Sequence, residues 1–150
     1  MRRFFKVLLA ATLLAAVFAA YTGVYRISAS TAQHLLPHVT CSGNGCNGLD
    51  PAVTGCDLDA YTVSTTGGTV SFRTGTIQLR YSPTCGTNWG RVFSSVGNTQ
   101  LTVSIRRDDG RFYFTVGSGT RLWSPMVFAR NVKAKACGSA GHFQDCTEAI

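Results

Sequence analysis

Six cysteines, Cys41, Cys46, Cys56, Cys85, Cys137 and Cys146, lie downstream of a long apolar N-terminal stretch, and none lies within it. An even number of cysteines in a small domain that follows such a stretch implies disulfides. An oxidising compartment preserves them, and a core this small gains from covalent staples. Six cysteines can pair in more than a dozen ways. Sequence alone does not choose among them, and the arrangement preferred here is Cys41–Cys46, Cys56–Cys85 and Cys137–Cys146. In that arrangement the middle link ties a Cys-rich loop to the strands, and the last closes the C-terminal tail. The four- and nine-residue gaps between the first three cysteines, with no paired C-x-x-C, argue against a zinc site.

The stretch itself has the three-part layout of a secretory signal. Arg2, Arg3 and Lys6 form a cationic start, Val7 to Ala20 is apolar apart from Thr12, and small residues follow. Cleavage after Ala19 or after Ala32 would satisfy the small-residue rule. The alternative is a retained anchor, because the 22 residues from Phe4 to Tyr25 can cross a hydrocarbon core of ~30 Å. Both readings place the remainder outside the membrane. Residues 1–32 are thus expected to be a signal peptide or anchor, and 33–40 a linker. Residues 41–150 are expected to form a disulfide-stapled domain. His34 and His38 have helical spacing but read as solvated linker residues.

The formal charge of +7 is misleading as a sign of nucleic-acid binding. Once Arg2, Arg3, Lys6 and Arg26 are set aside, ten basic residues face seven acidic ones, leaving about +3. No nucleic-acid partner is expected from so mild a charge on an exported domain. Membrane contact is expected only through residues 4–25, if they are retained.

From Tyr61 onward the pattern has period two. Val70 and Phe72, then Ile77, Leu79 and Tyr81, then Leu101, Val103 and Ile105, then Phe112, Phe114 and Val116 each alternate with polar or small residues. Each run predicts a half-buried strand with one apolar face. Turn signals separate them at Gly67-Gly68, Gly75, Gly97-Asn98 and Asp108-Asp109-Gly110, the last predicting a hairpin. Trp89 to Ser94 and Met126 to Val132 supply further strands. The expected fold is all-β, a small antiparallel barrel or sandwich of about six to eight strands. A Cys-rich loop and an N-terminal apolar export helix precede it. Within the loop, Asp50-Pro51 reads as a helix start that Gly55 ends after one turn.

Three segments carry a resemblance. They are Gly45-Cys46-Asn47-Gly48-Leu49-Asp50-Pro51 with Gly55-Cys56 and Asp59-Ala60; Leu79-Arg80-Tyr81-Ser82-Pro83-Thr84-Cys85 with Trp89 and Arg91; and Ser124-Pro125-Met126-Val127 with Ala136-Cys137. In order and spacing the chain resembles an uncharacterised family of small secreted bacterial domains, mostly from Gram-positive organisms. The resemblance implies an exported β domain with its cysteines paired, and it brings no activity.

Three sets of residues offer chemistry. For catalysis, His142 and Glu148 are the only histidine and glutamate beyond residue 40, and neither a G-x-S-x-G nor an H-E-x-x-H motif is present. A hydrolase acting on wall polymer, with His142 or the loop aspartates as acid–base groups, is therefore the secondary reading. For metal, Asp50, Asp57 and Asp59 are hard oxygen ligands suited to calcium. The loop lacks EF-hand spacing, and turn capping by Asp50 accounts for it more simply, so no cofactor is expected. For binding, strand alternation turns Arg80 outward and places Trp89 and Arg91 on one face. Exposed arginines beside an aromatic suit an anionic polymer. The leading expectation is a non-catalytic module that binds a cell-envelope component, such as an anionic wall polymer, or an extracellular protein.

Overall fold

The computed structural model describes residues 38–150. The signal or anchor, His34 and most of the linker lie outside the described residues. Among these, ten strands form two antiparallel sheets: β1 (Tyr61–Thr62), β2 (Thr69–Phe72), β3 (Gly75–Ser82), β4 (Thr87–Ser94), β5 (Thr99–Arg107), β6 (Phe112–Gly119), β7 (Arg121–Trp123), β8 (Val127–Phe128), β9 (Ala134–Ala140) and β10 (Phe143–Cys146). The first sheet is built on the long β3–β4 pair. Both β1 and β2 run along the free side of β3, while β7 and β8 share the other side of β4. The second sheet has the order β10-β9-β5-β6. The architecture is an open sandwich and not a closed barrel. Its strands exceed the six to eight expected because β1 and β7 are only two or three residues long and β9 and β10 carry little β-branched signal.

Period two decides which residues face the gap between the sheets. Ile77, Leu79 and Val92 from the first sheet meet Leu101, Val103, Ile105, Ala134, Ala136 and Ala140 from the second, all fully buried. Each large side chain buried here contributes roughly 1.5–3 kcal/mol. Two glycines set the spacing. A Cβ on Gly90 would lie 2.8 Å from the Ser104 carbonyl oxygen, and one on Gly138 would lie 2.8 Å from Ile77 Cδ1 and 3.0 Å from Val92. The sheets approach most closely where one of them has no side chain.

Three of the longer strands depart from the sequence reading. β9 and β10 were not anticipated, because Ala134-Lys135-Ala136-Cys137 lacks the β-branched and aromatic residues that mark strands. Small side chains suit β9 because it lies centrally, paired on both sides and packed under β3 and β4. In β6 the alternation is real but its facing is reversed. Phe112, Phe114 and Val116 are exposed, and Tyr113 turns inward to the core. The register opposes Ser104 to Phe114 and Ile105 to Tyr113, so the β5 core face fixes which side of β6 is buried. Tyr113 also covers Gly48, where a Cβ would come within 3.0 Å of its ring.

The remaining outer surface is layered unequally. Residues 41–60 lie across the outer face of the first sheet as a third layer. Gly48 N–H donates to the Met126 carbonyl, Met126 N–H to that of Leu49, and Phe128 N–H to Asn47 Oδ1, at 2.9, 2.9 and 2.7 Å. Beneath the loop, Trp89 and Met126 pack with Cys46, Cys56 and Cys85 in a second buried cluster. The disulfides are Cys41–Cys46, Cys56–Cys85 and Cys137–Cys146, the preferred one of the pairings that the sequence left open.

The β5–β6 hairpin turns at Asp108-Asp109-Gly110, where Arg107 pairs with Asp109. Hydrogen bonding from the Arg107 guanidinium, chiefly, holds the Asp109 carboxyl down to about 2. The pair's contribution is therefore complete above the ordinary value of 3.8 and fades as pH falls through about 2. An NMR titration should place the Asp109 midpoint near that value, and Arg107→Gln should return it to the ordinary carboxylate range. An unshifted midpoint in that variant would refute the pairing.

The inter-sheet glycines yield a second expectation. Gly90→Ala and Gly138→Ala should each lower stability by about 1–3 kcal/mol through overpacking, seen as a lower urea midpoint. Gly45→Ala, whose added methyl meets nothing within 4 Å, should leave the midpoint nearly unchanged.

Candidate functional site

Strand alternation places Gln78 and Arg80 of β3, Trp89, Arg91 and Phe93 of β4, and Arg121 and Trp123 of β7 on the outer face of the first sheet. Cross-strand register sets Arg80 opposite Trp89, Arg91 opposite Trp123 and Phe93 opposite Arg121. Cation and aromatic thus alternate across the face. Arg91 lies over the Phe93 ring at 5.0 Å, and Arg121 over the Trp123 ring at 5.7 Å. Each such stack is worth roughly 0.5–1 kcal/mol where exposed.

Where the loop layer ends against this face, a cavity of about 170 Å³ opens between Pro51, Asp57, Arg80, Trp89, Arg91, Arg121 and Trp123. A shallower concavity continues from it past Phe93, Ser94 and Thr120, sharing Arg121 and Trp123. Arg80, Trp89 and Arg91, the three binding residues expected from sequence, therefore meet at one cavity.

The arginines differ in how they are held. Arg80 donates from Nη1 to Thr62 Oγ1 at 2.8 Å and from Nη2 to the Ala60 carbonyl at 2.6 Å, while its buried Nε has no acceptor among the described residues. Arg91 donates from both Nε and Nη2 to Gln78 Oε1, at 3.2 and 2.8 Å. That leaves Nη1 of Arg91 without a protein acceptor among the described residues. Arg121 is exposed and braced by its Trp123 stack.

The electrostatics are one-sided. Burial pulls the Arg91 guanidinium below its ordinary value, and the charges of Arg80 and Arg121 pull it further. Burial also lowers Arg80, against a partial offset from Asp57. Arg80 and Arg91 nevertheless remain charged at neutral pH, and Asp57 is the carboxylate that lines the cavity beside them.

The loop carboxylates have separate duties. Asp50 Oδ1 accepts from the Ala52 and Val53 amides at 2.7 and 3.3 Å, and Thr54 N–H closes the turn on the Asp50 carbonyl. The one-turn helix expected from Asp50-Pro51 is here a run of turns over 51–57, with Gly55, at φ +74, inside it. The other oxygen, Asp50 Oδ2, accepts from Trp123 Nε1 at 3.0 Å and fixes the indole at the cavity rim. Asp59 accepts from Ser82 Oγ and the Thr84 amide at 2.6 and 2.9 Å. Burial raises its pKa, but these hydrogen bonds outweigh that effect and hold it below the ordinary value. Asp57 faces Arg80. Of the carboxylates considered for calcium, Asp50 and Asp59 are each engaged by hydrogen bonds and Asp57 is exposed at the cavity wall, and the three are not gathered into a shared ligand set among the described residues. His142 is exposed at the β9–β10 turn, on the other sheet.

Sequence reasoning missed Arg121 and Trp123. Arg121-Leu122-Trp123 repeats the outward–inward–outward pattern of Arg91-Val92-Phe93, but only the β4–β7 register brings the two runs side by side.

These features define a cystine-stapled antiparallel β-sandwich with a loop layer and a cation–aromatic cavity between loop and sheet. The chain belongs to the family described as Protein of unknown function (DUF2690), whose model matches residues 44–137. The matched span holds every residue that lines the cavity. No curated protein and no solved structure matches the chain.

Proposed function

We propose that this is an exported, non-catalytic binding module whose ligand is an anionic polymer of the cell envelope, held at the Arg80–Arg91–Arg121 cavity. The observation that carries this reading is three guanidiniums converging on one cavity with Asp57 as the carboxylate on its wall. An anion seated there would relieve the repulsion that Arg91 feels from its neighbours and accept from Arg91 Nη1 and Arg121. The ring of Trp123, half-buried at the rim, supplies an apolar wall for the uncharged part of a repeat unit, with the buried Trp89 beneath it as the floor. The adjoining concavity past Phe93 lets a chain continue beyond one unit, which favours a polymer over a single small anion.

The test is co-sedimentation of the oxidised protein with isolated Gram-positive cell walls across a salt series. Binding should fade as salt rises. Arg91→Gln with Arg121→Gln should weaken it by about a hundredfold, taking roughly tenfold for each charge-assisted hydrogen bond. Arg111→Gln, on the distant hairpin, should change little. Equal binding by the double variant and the parent would overturn the assignment to this cavity.

A further inference from the structure

We propose that, when its two loop cystines are reduced, the chain binds one Zn²⁺ through the thiolates of Cys41, Cys46, Cys56 and Cys85. The sequence spacing argued against zinc because it offers no paired C-x-x-C. The fold supplies what the spacing lacks: the four sulfurs lie within 4.8 Å of one another. Cys41 Sγ and Cys56 Sγ, which belong to different disulfides, are 3.7 Å apart. A tetrahedral zinc site with Zn–S bonds of about 2.3 Å places its sulfurs ~3.8 Å from each other. The passage from two cystines to one tetrathiolate needs only short side-chain movements.

The frame that carries these sulfurs is tied by more than the disulfides. Cys41 and Cys46 bracket the short 3-10 helix Gly43–Cys46, and Gly43 N–H donates to the Cys85 carbonyl at 3.0 Å. Cys85 N–H donates to Ser82 Oγ, and that hydroxyl is in turn fixed on Asp59. Cys56 follows the Asp50-capped turn, and Thr40 N–H donates to the Thr54 carbonyl within that turn. Reduction therefore leaves hydrogen bonds that keep all three pieces of backbone in place.

The surroundings also suit the metal. Cys46, Cys56 and Cys85 are buried, and Trp89 and Met126 wall them from water. The third cystine, Cys137–Cys146, bridges β9 and β10 of the other sheet and takes no part.

The redox balance is simple. Opening two S–S bonds takes four electrons and four protons: two equivalents of a phosphine supply the electrons and leave as phosphine oxide, and two waters supply the protons and the oxygen. Zn²⁺ then displaces the four thiol protons. The same four side chains staple the loop by covalent bonds in an oxidising compartment and by metal in a reducing one.

The experiment uses the full chain, reduced anaerobically with a phosphine and titrated with Co²⁺ and then Zn²⁺, with far-UV circular dichroism recorded throughout. One Co²⁺ per chain should bind with the visible bands of a tetrahedral tetrathiolate, and one equivalent of Zn²⁺ should bleach them. The sheet signal should be retained or restored on metal addition. Cys137→Ser with Cys146→Ser should preserve the bands, whereas Cys56→Ser with Cys85→Ser should abolish them. Absence of the bands, their persistence without Cys56 and Cys85, or metal uptake with no sheet signal would each overturn the proposal.

Discussion

The Cys56–Cys85 bond joins a segment with almost no regular structure to the turn between the two longest strands of the first sheet. It closes a sequence separation of 29 residues, which in the chain-entropy model is worth about 3–4 kcal/mol. Its greater consequence is positional. With the loop pinned at the β3–β4 turn, Trp89 and Met126 acquire a lid and form a second buried cluster on the side of the sheet away from the main core. The edge of that lid is also the edge of the cavity. Pro51 and Asp57 on the loop and Arg80, Arg91 and Trp123 on the sheet face one another because this link holds the two layers in register.

Period two was legible wherever a strand lay against the core. Ile77, Leu79, Leu101, Val103 and Ile105 are all buried as their alternation implies. It failed informatively in β6, where an apolar and a polar face of similar size compete. There the pairing with β5 decided the outcome, putting Tyr113 beside Ile105 and leaving Phe114 outside. β9 escaped notice for the opposite reason: a central strand under close-packed neighbours needs small residues, and Ala134, Ala136 and Gly138 give no propensity signal. Local chemistry was easier to read. The Asp50-Pro51 cap and the Asp108-Asp109-Gly110 hairpin depend on residues adjacent in sequence, so their physics is contained in the sequence window.

The cavity was legible in part, and the boundary follows the same logic. Arg80, Trp89 and Arg91 lie on the two strands of one hairpin, whose facing can be inferred from alternation alone. Arg121 and Trp123 arrive from β7, across a crossover that passes through both sheets. No pattern within a strand can announce such a pairing. The aspartates show the converse. Clustered in sequence, they look like a ligand set, but the fold assigns Asp50 to a cap and an indole, Asp57 to the exposed wall of the cavity and Asp59 to a turn.

The three arginines are not equivalent, and this bears on how such a cavity functions. Arg80 spends both terminal nitrogens on Thr62 and the Ala60 carbonyl, so it joins β1 and the end of the loop to β3. Its removal would disturb the frame as well as the charge. Arg91 is positioned by Gln78 through two nitrogens on one side, which turns the remaining donor toward the cavity without consuming it. Arg121 is held only by its stack on Trp123, itself fixed by Asp50. The face thus grades from a structural cation beside the loop, through a positioned one, to an exposed one at the open end. On the proposed reading, a polyanion approaching from solvent would meet the exposed Arg121 before the half-buried Arg91 and Arg80, so capture would begin at the open end and orientation would be set at the deep one.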